Sequence, residues 1–158
     1  MNTFHEPPTP QLNFFADVSA EVAKPIEAGL GPMGLRRMIP ILGGQARGVD
    51  WQARVLPGGA DYQLIVGETT AMLQAHYMLE TDAGDRIYVH NSAMRHASKE
   101  VTGRLMRGEP VDPALVYFRC QPRFETGSKA LSWINERLFV GSGVRHPDKV
   151  VMRFFELA

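Results

Sequence analysis

The sequence predicts an all-β chain, an antiparallel β-barrel of about eight to ten strands with one short helix. Three observations point there. Apolar and polar residues alternate at a period of two along most of the chain, turn signals rich in glycine and proline separate the runs, and a single stretch has helical spacing. Many runs put apolar residues on one face and mixed polar and aromatic residues on the other, as if one face packed and the other lined a chamber. A barrel of about eight strands encloses just enough room for side chains or one small ligand.

Residues 1–11, with Pro7, Pro8 and Pro10, read as a flexible N-terminal leader, and residues 12–158 as a single barrel domain. The first strand is LNFFADVSAEV, Leu12–Val22, whose Leu12, Phe14, Ala16, Val18, Ala20 and Val22 share one face. Further strands follow at Arg36–Leu42, Asp50–Leu56, Asp61–Val66, Thr70–Thr81 and Arg86–Asn91. The last three are Val116–Gly127, Leu131–Gly141 and Lys149–Leu157. Gly43-Gly44, Pro57-Gly58-Gly59, Asp82–Asp85, Gly141-Ser142-Gly143 and Pro147-Asp148 mark the turns. SKEVTGRLMRG, Ser98–Gly108, is the helix: Ser98 is its N-cap, Val101 and Leu105 share a face, and Gly108 stops it.

Composition narrows the partners. Lysine plus arginine and aspartate plus glutamate each number 17, so no charge excess calls for nucleic acid. Cys120 is the sole cysteine, which excludes an internal disulfide or a multi-cysteine metal site and fits a cytoplasmic location. No stretch reaches the roughly 20 apolar residues of a membrane span. The five histidines, His5, His76, His90, His96 and His146, fall in no metal-binding spacing, so neither metal nor cofactor is expected. No serine elbow, phosphate loop or dinucleotide fingerprint occurs.

Four strings occur together in order: GPMGLRRMIPILGG (Gly31–Gly44), VLPGGADYQ (Val55–Gln63), GEPVDPALVYFRCQPRFETG (Gly108–Gly127) and WINERLFVGSG (Trp133–Gly143). With them the chain resembles the family called domain of unknown function 3237, also labelled uncharacterised protein family 0311. The resemblance implies a compact antiparallel β-barrel and carries no general activity with it. Where members commonly read Arg-Thr-x-Pro-Arg-Phe-Glu-Thr, this chain has Cys120 and Gln121 after Arg119, and Ala93 takes a position where glycine is common.

Candidate site residues come from polar side chains on strands. Arg119 sits in an aromatic run and needs either a carboxylate such as Asp61 or a bound anion, which its planar fork suits. Arg123 and Glu125, about 7 Å apart along a strand, are close enough to pair and close a barrel end. Asp61 follows the LPGGA turn; it either satisfies turn amides or, desolvated at a barrel mouth, serves as a general base, with Gln63 on the same face. Of Arg36 and Arg37, at most one faces inward. Tyr88 either packs or donates to a developing oxyanion, and His76 is a structural histidine or a lumen acid or base. Trp133 packs or stacks on a ligand, and an inward Asn135 would orient a carbonyl or hydroxyl.

A cofactor-independent acid/base enzyme of isomerase, cyclase, hydratase or lyase type follows, acting on a small oxygenated, partly apolar metabolite. Asp61, Arg119 and Tyr88 would be catalytic, and Arg37, Gln63, His76, Trp133, Asn135 and Glu125 would bind substrate. A non-catalytic carrier or sensor barrel is the alternative, and a structural module a third. Exposed apolar faces permit a homo-oligomer without requiring one. The enzyme reading expects Asp61, Arg119 and Asn135 to converge on one sheltered pocket.

Overall fold

The structure, a computed structural model, describes residues 5–158. The first four residues of the expected leader lie outside the described residues, and residues 5–11 carry no helix or strand. The strands are β1 (Leu12–Val22), β2 (Ile26–Gly31), β3 (Gly34–Gly48), β4 (Gln52–Val55) and β5 (Ala60–Val66). They continue with β6 (Thr70–Thr81), β7 (Arg86–His96), β8 (Tyr117–Thr126), β9 (Phe139–Arg145) and β10 (Lys149–Leu157). One helix, α1 (Lys99–Met106), links β7 to β8.

Neighbouring strands pair antiparallel in the order β1-β10-β9-β8-β7-β6, and β6 meets both β4 and β5. Those two short strands share one place in the wall, each pairing β3, and β3 returns to β1. The result is a closed eight-strand barrel with two extra strands. Closure removes the free edges that an open sheet would offer to other chains.

Alternation holds because one face of each barrel strand is now interior, whereas the extra strand β2 buries no residue. On β8, Phe118, Cys120, Pro122 and Phe124 are buried while Tyr117, Arg119, Gln121, Arg123 and Glu125 are exposed. Part of the interior is filled by rings: Phe15 lies 4.9 Å from Phe124, 4.8 Å from Phe139 and 5.6 Å from both Trp51 and Trp133. Phe154, fully enclosed, extends this cluster against Phe124 at 5.6 Å. These rings plug one end of the barrel.

Several sequence expectations need correction. Gly43-Gly44 is no turn: β3 runs through it, and the register against β1 shifts there, between Glu21 and Val22. Gly44 has φ +131°, and a Cβ on it would collide with the Ser19 carbonyl. Leu131–Gly141 is not one strand; a 3-10 turn at Ser132–Glu136 precedes β9. Gly141-Ser142-Gly143 lies inside β9, where a Cβ at Gly141 would stand 2.6 Å from the Arg153 carbonyl oxygen. Strand β2 was not expected at all. The helix forms as read, with Ser98 Oγ accepting from the Val101 amide at 3.1 Å.

Candidate functional site

Beyond the aromatic plug the interior turns polar, and strand register explains how. Asp61 on β5 and Asn91 on β7 both lie opposite Ala75 of β6, so they flank one small residue on the lumen side. Arg37 on β3 lies opposite Gln63 on β5, one lumen level away from Asp61. Arg95, on the same face of β7 as Asn91, and Arg145 at the end of β9 complete the set.

These groups form a short chain of hydrogen bonds. Arg37 Nε donates to Gln63 Oε1 at 2.9 Å, and Gln63 Nε2 donates to Asp61 Oδ2 at 2.7 Å. Gln63 is thereby fixed in one orientation, and one carboxylate oxygen of Asp61 is held. The other oxygen, Oδ1, is enclosed and has no partner among the described residues. The same holds for Asn91 Oδ1 and Nδ2, Arg95 Nη1 and Arg145 Nη1. Buried polar atoms left unpaired each cost about 1–3 kcal/mol, so the four on Asp61, Asn91 and Arg95, which share the wall of one space, call for an occupant, while Arg145 stands outside that wall.

That space is a cavity of about 40 Å³ whose walls include Ile39, Asp61, Gln63, Asn91, Arg95 and Phe118. It exceeds the ~10–15 Å³ that a single water needs. Larger, open hollows lie elsewhere, one of about 710 Å³ against the aromatic plug and one of about 670 Å³ on the outer surface. The lumen cavity is smaller, yet it is the one lined by Asp61, Asn91 and Arg95, whose orphaned atoms give it chemistry.

Electrostatics follow from burial. Desolvation raises the pKa of Asp61, against the hydrogen bond from Gln63 and the fields of Arg95, Arg145 and Arg37, which favour its ionised form. Burial likewise lowers Arg37 and Arg145 and brings Arg95 down to about 10. Three guanidinium groups thus bear on one carboxylate, and none of the salt bridges among the described residues involves any of the four. The lumen carries surplus positive charge. Burial pushes the Cys120 thiol up to about 11, far from a thiolate nucleophile.

Of the expected site residues, the structure brings Asp61, Gln63 and Arg37 together in the lumen and sends the others elsewhere. Arg119 is exposed on the outer face of β8, its guanidinium 5.1 Å from the Tyr117 ring and its Nη1 donating to the Phe118 carbonyl at 2.9 Å. Glu125 and Arg123 share that outer face, and no salt bridge between them occurs among the described residues. Tyr88 and His76 also face outward; the phenol oxygen lies 2.6 Å from His76 Nδ1, and the His76 ring stacks on His90 at 4.2 Å. Trp133 belongs to the plug at the opposite end, edge-on to Phe15. Asn135 is exposed and serves as a surrogate strand, accepting from the Thr126 amide at 2.8 Å and donating to its carbonyl at 2.9 Å.

The reason is parity: closing the barrel turns the apolar set of β8 inward, which forces Arg119 and Glu125 out. Asn91, Arg95 and Arg145 were missed. Asn91 and Arg95 share the face of Ile87, Val89 and Ala93, so a polar residue in an apolar register was the available signal.

A closed antiparallel barrel with a plug of rings at one end and a charged, enclosed lumen at the other is the class of protein defined here. The chain belongs to the family described as protein of unknown function DUF3237, whose model matches residues 10–157. A UPF0311 protein of Rhodopseudomonas palustris strain TIE-1 is 43% identical over 145 residues, covering 92% of this chain and 95% of that one. Among solved structures, a conserved protein of unknown function from Rhodopseudomonas palustris superposes with a TM-score of 0.91 at 40% identity, covering 96% of this chain and all (100%) of the other. A β-barrel-like protein from Acinetobacter baumannii gives 0.86 at 36% identity, over 98% of this chain and 100% of its own.

Proposed function

We propose that the chain is a cofactor-independent acid/base enzyme that acts on a small, oxygenated, partly apolar metabolite held in the lumen. The observation that carries this is Asp61 Oδ1, enclosed and unpaired beside a cavity, with its sister oxygen held by Gln63. In its ionised form Asp61 would take a proton from a carbon next to a substrate carbonyl. The electron pair of that C–H bond moves onto the carbonyl oxygen, and the resulting enolate would be stabilised by the Arg95 guanidinium in the cavity wall and by the charges of Arg37 and Arg145 beyond it. Return of the proton to another carbon gives isomerisation; departure of a β-substituent gives a lyase, and its reverse a hydratase or cyclase.

The raised pKa of Asp61 suits this work, because a stronger base is matched better to a weak carbon acid. Ile39, Leu73 and Phe118 supply the apolar walls. A cytoplasmic setting is part of the proposal, in keeping with the unpaired Cys120.

Proton exchange is the decisive assay. Small ketones and oxo acids incubated with the protein in deuterium oxide should gain deuterium at the acidic carbon, and Asp61→Asn should slow that gain about 100-fold or more. Equal exchange with the parent and the variant would reject the acid/base role. Saturable binding with no exchange in either would favour the carrier alternative, which draws on the same unpaired groups.

A further inference from the structure

We infer that the lumen is built for a small hydroxy acid, a carboxylate that bears a hydroxyl group next to its charged end. Its carboxylate would meet Arg95, with the charge of Arg145 nearby reinforcing it, and its hydroxyl would sit on Asn91. This rests on the reading of the lumen as a ligand site and adds the chemical class of the ligand.

The unpaired atoms set the terms. Arg95 Nη1 and Arg145 Nη1 only donate, so they ask for an acceptor, and the surplus of guanidinium over carboxylate asks that the acceptor be anionic. Asn91 is 1% exposed and has both its donor, Nδ2, and its acceptor, Oδ1, unpaired. The Cys120 thiol alongside is a weak partner at best. A carbonyl could accept from Nδ2 and would leave Oδ1 orphaned; a hydroxyl donates and accepts at once and satisfies both.

Placement agrees with this. Asn91 and Asp61 flank Ala75 from the two neighbouring strands and line the same cavity, so a ligand held on Asn91 faces Asp61 across the space above Ala75. Ala71, Ala75 and Ala93 keep the lumen side of β6 and β7 open where bulkier residues would fill it. The cavity of about 40 Å³ limits the enclosed part of the ligand to a few heavy atoms.

Matched pairs of acids test the inference on the full chain without any variant: glycolate against acetate, and lactate against propionate, at constant ionic strength. Calorimetric titration and thermal shift should show each hydroxy acid binding at least about fivefold more tightly than its deoxy partner, the worth of one or two hydrogen bonds. Asn91→Ala, which removes both amide atoms without adding bulk, should bring that ratio to about one and leave acetate binding in place. Asn91→Leu, which keeps the branched shape, should do the same if its methyl groups are accommodated, whereas Arg95→Met should weaken all four acids. The unliganded Asn91→Leu protein should melt no lower than the parent, since an unpaired buried amide is removed.

Equal affinity within each pair, a ratio that survives Asn91→Leu, or no binding by any of the four would overturn the hydroxy-acid assignment. Deuterium exchange separates this from the acid/base reading. Exchange that depends on Asp61 without discrimination between the acids sinks the ligand class alone, and discrimination without exchange supports the ligand class while the enzyme reading fails.

Discussion

Asp61 shows how one side chain ties folding to chemistry. Its pKa is raised because burial outweighs three guanidinium groups and the Gln63 hydrogen bond. The folded protein therefore holds a proton that the unfolded chain, with a carboxyl pKa of about 3.9, would release. With more protons bound in the native state, stability falls as pH rises: the contribution is full below about pH 3.9 and is lost as pH climbs through the folded value. Asp61→Asn cannot ionise, so in urea titrations across that window the variant should gain stability relative to the parent as pH increases. A stability difference, variant minus parent, that stays flat or falls as pH rises would contradict the raised value. Asn135 teaches the opposite lesson: an amide that looked made for a ligand is spent on the backbone of Thr126.

At the level of strands, the bounds of β1, β6 and β10 were legible to the residue, because an apolar residue recurs at every second position and turn signals bound them. The shared face of β1 was not, since a bulge between Phe14 and Ala16 turns Leu12 and Phe14 outward and Phe15 inward. Strand β7 was read only as far as Asn91, and Arg95 was lost with its last turn of the ladder. Strand β9 was misplaced since its glycines resemble a turn, whereas they admit the Phe154 and Phe118 rings to the interior, with a Cβ at Gly143 only 2.9 Å from Phe118. Glycine also decides the path of β3. At Gly44 the positive φ and the collision with the Ser19 carbonyl exclude any side chain, so Gly44→Ala should cost at least about 2 kcal/mol in chemical denaturation. A neutral result would mean that β1 and β3 part there easily. Beside that crossing, Asp17 stitches β10 and β3 to β1, accepting from Arg153 at 2.7 and 3.0 Å and from Arg47 at 3.5 Å. Its exposure keeps this contact to about 1 kcal/mol or less.

For the whole molecule, the barrel followed from periodicity, but which polar residues face inward depends on closure, and closure is a property of no single strand. Three of the nine expected site residues reach the lumen, each on β3 or β5, where arginine, aspartate and glutamine share a face with Ile39 and Ile65. The wall is uneven. Strand β8 pairs β7 over ten positions from Ile87 with Thr126 to His96 with Tyr117, yet it pairs β9 only at Arg119 with Ser142 and Cys120 with Gly141. Hydrogen exchange should find the β9-facing amides of β8 exchanging faster than those facing β7, Thr126 excepted because Asn135 covers it. Uniform protection across β8 would rule out this weak seam.

The rings of Phe15, Phe124, Phe139 and Trp133 make the interior a cul-de-sac. If the proposed ligand role holds, traffic would be two-way along a single lane: whatever arrives head first would leave tail first, and a spent molecule would back out before its successor is admitted. On that same reading, a long guest would leave its far end trailing in water, and the chamber would inspect only the leading few atoms, whatever the length of the rest.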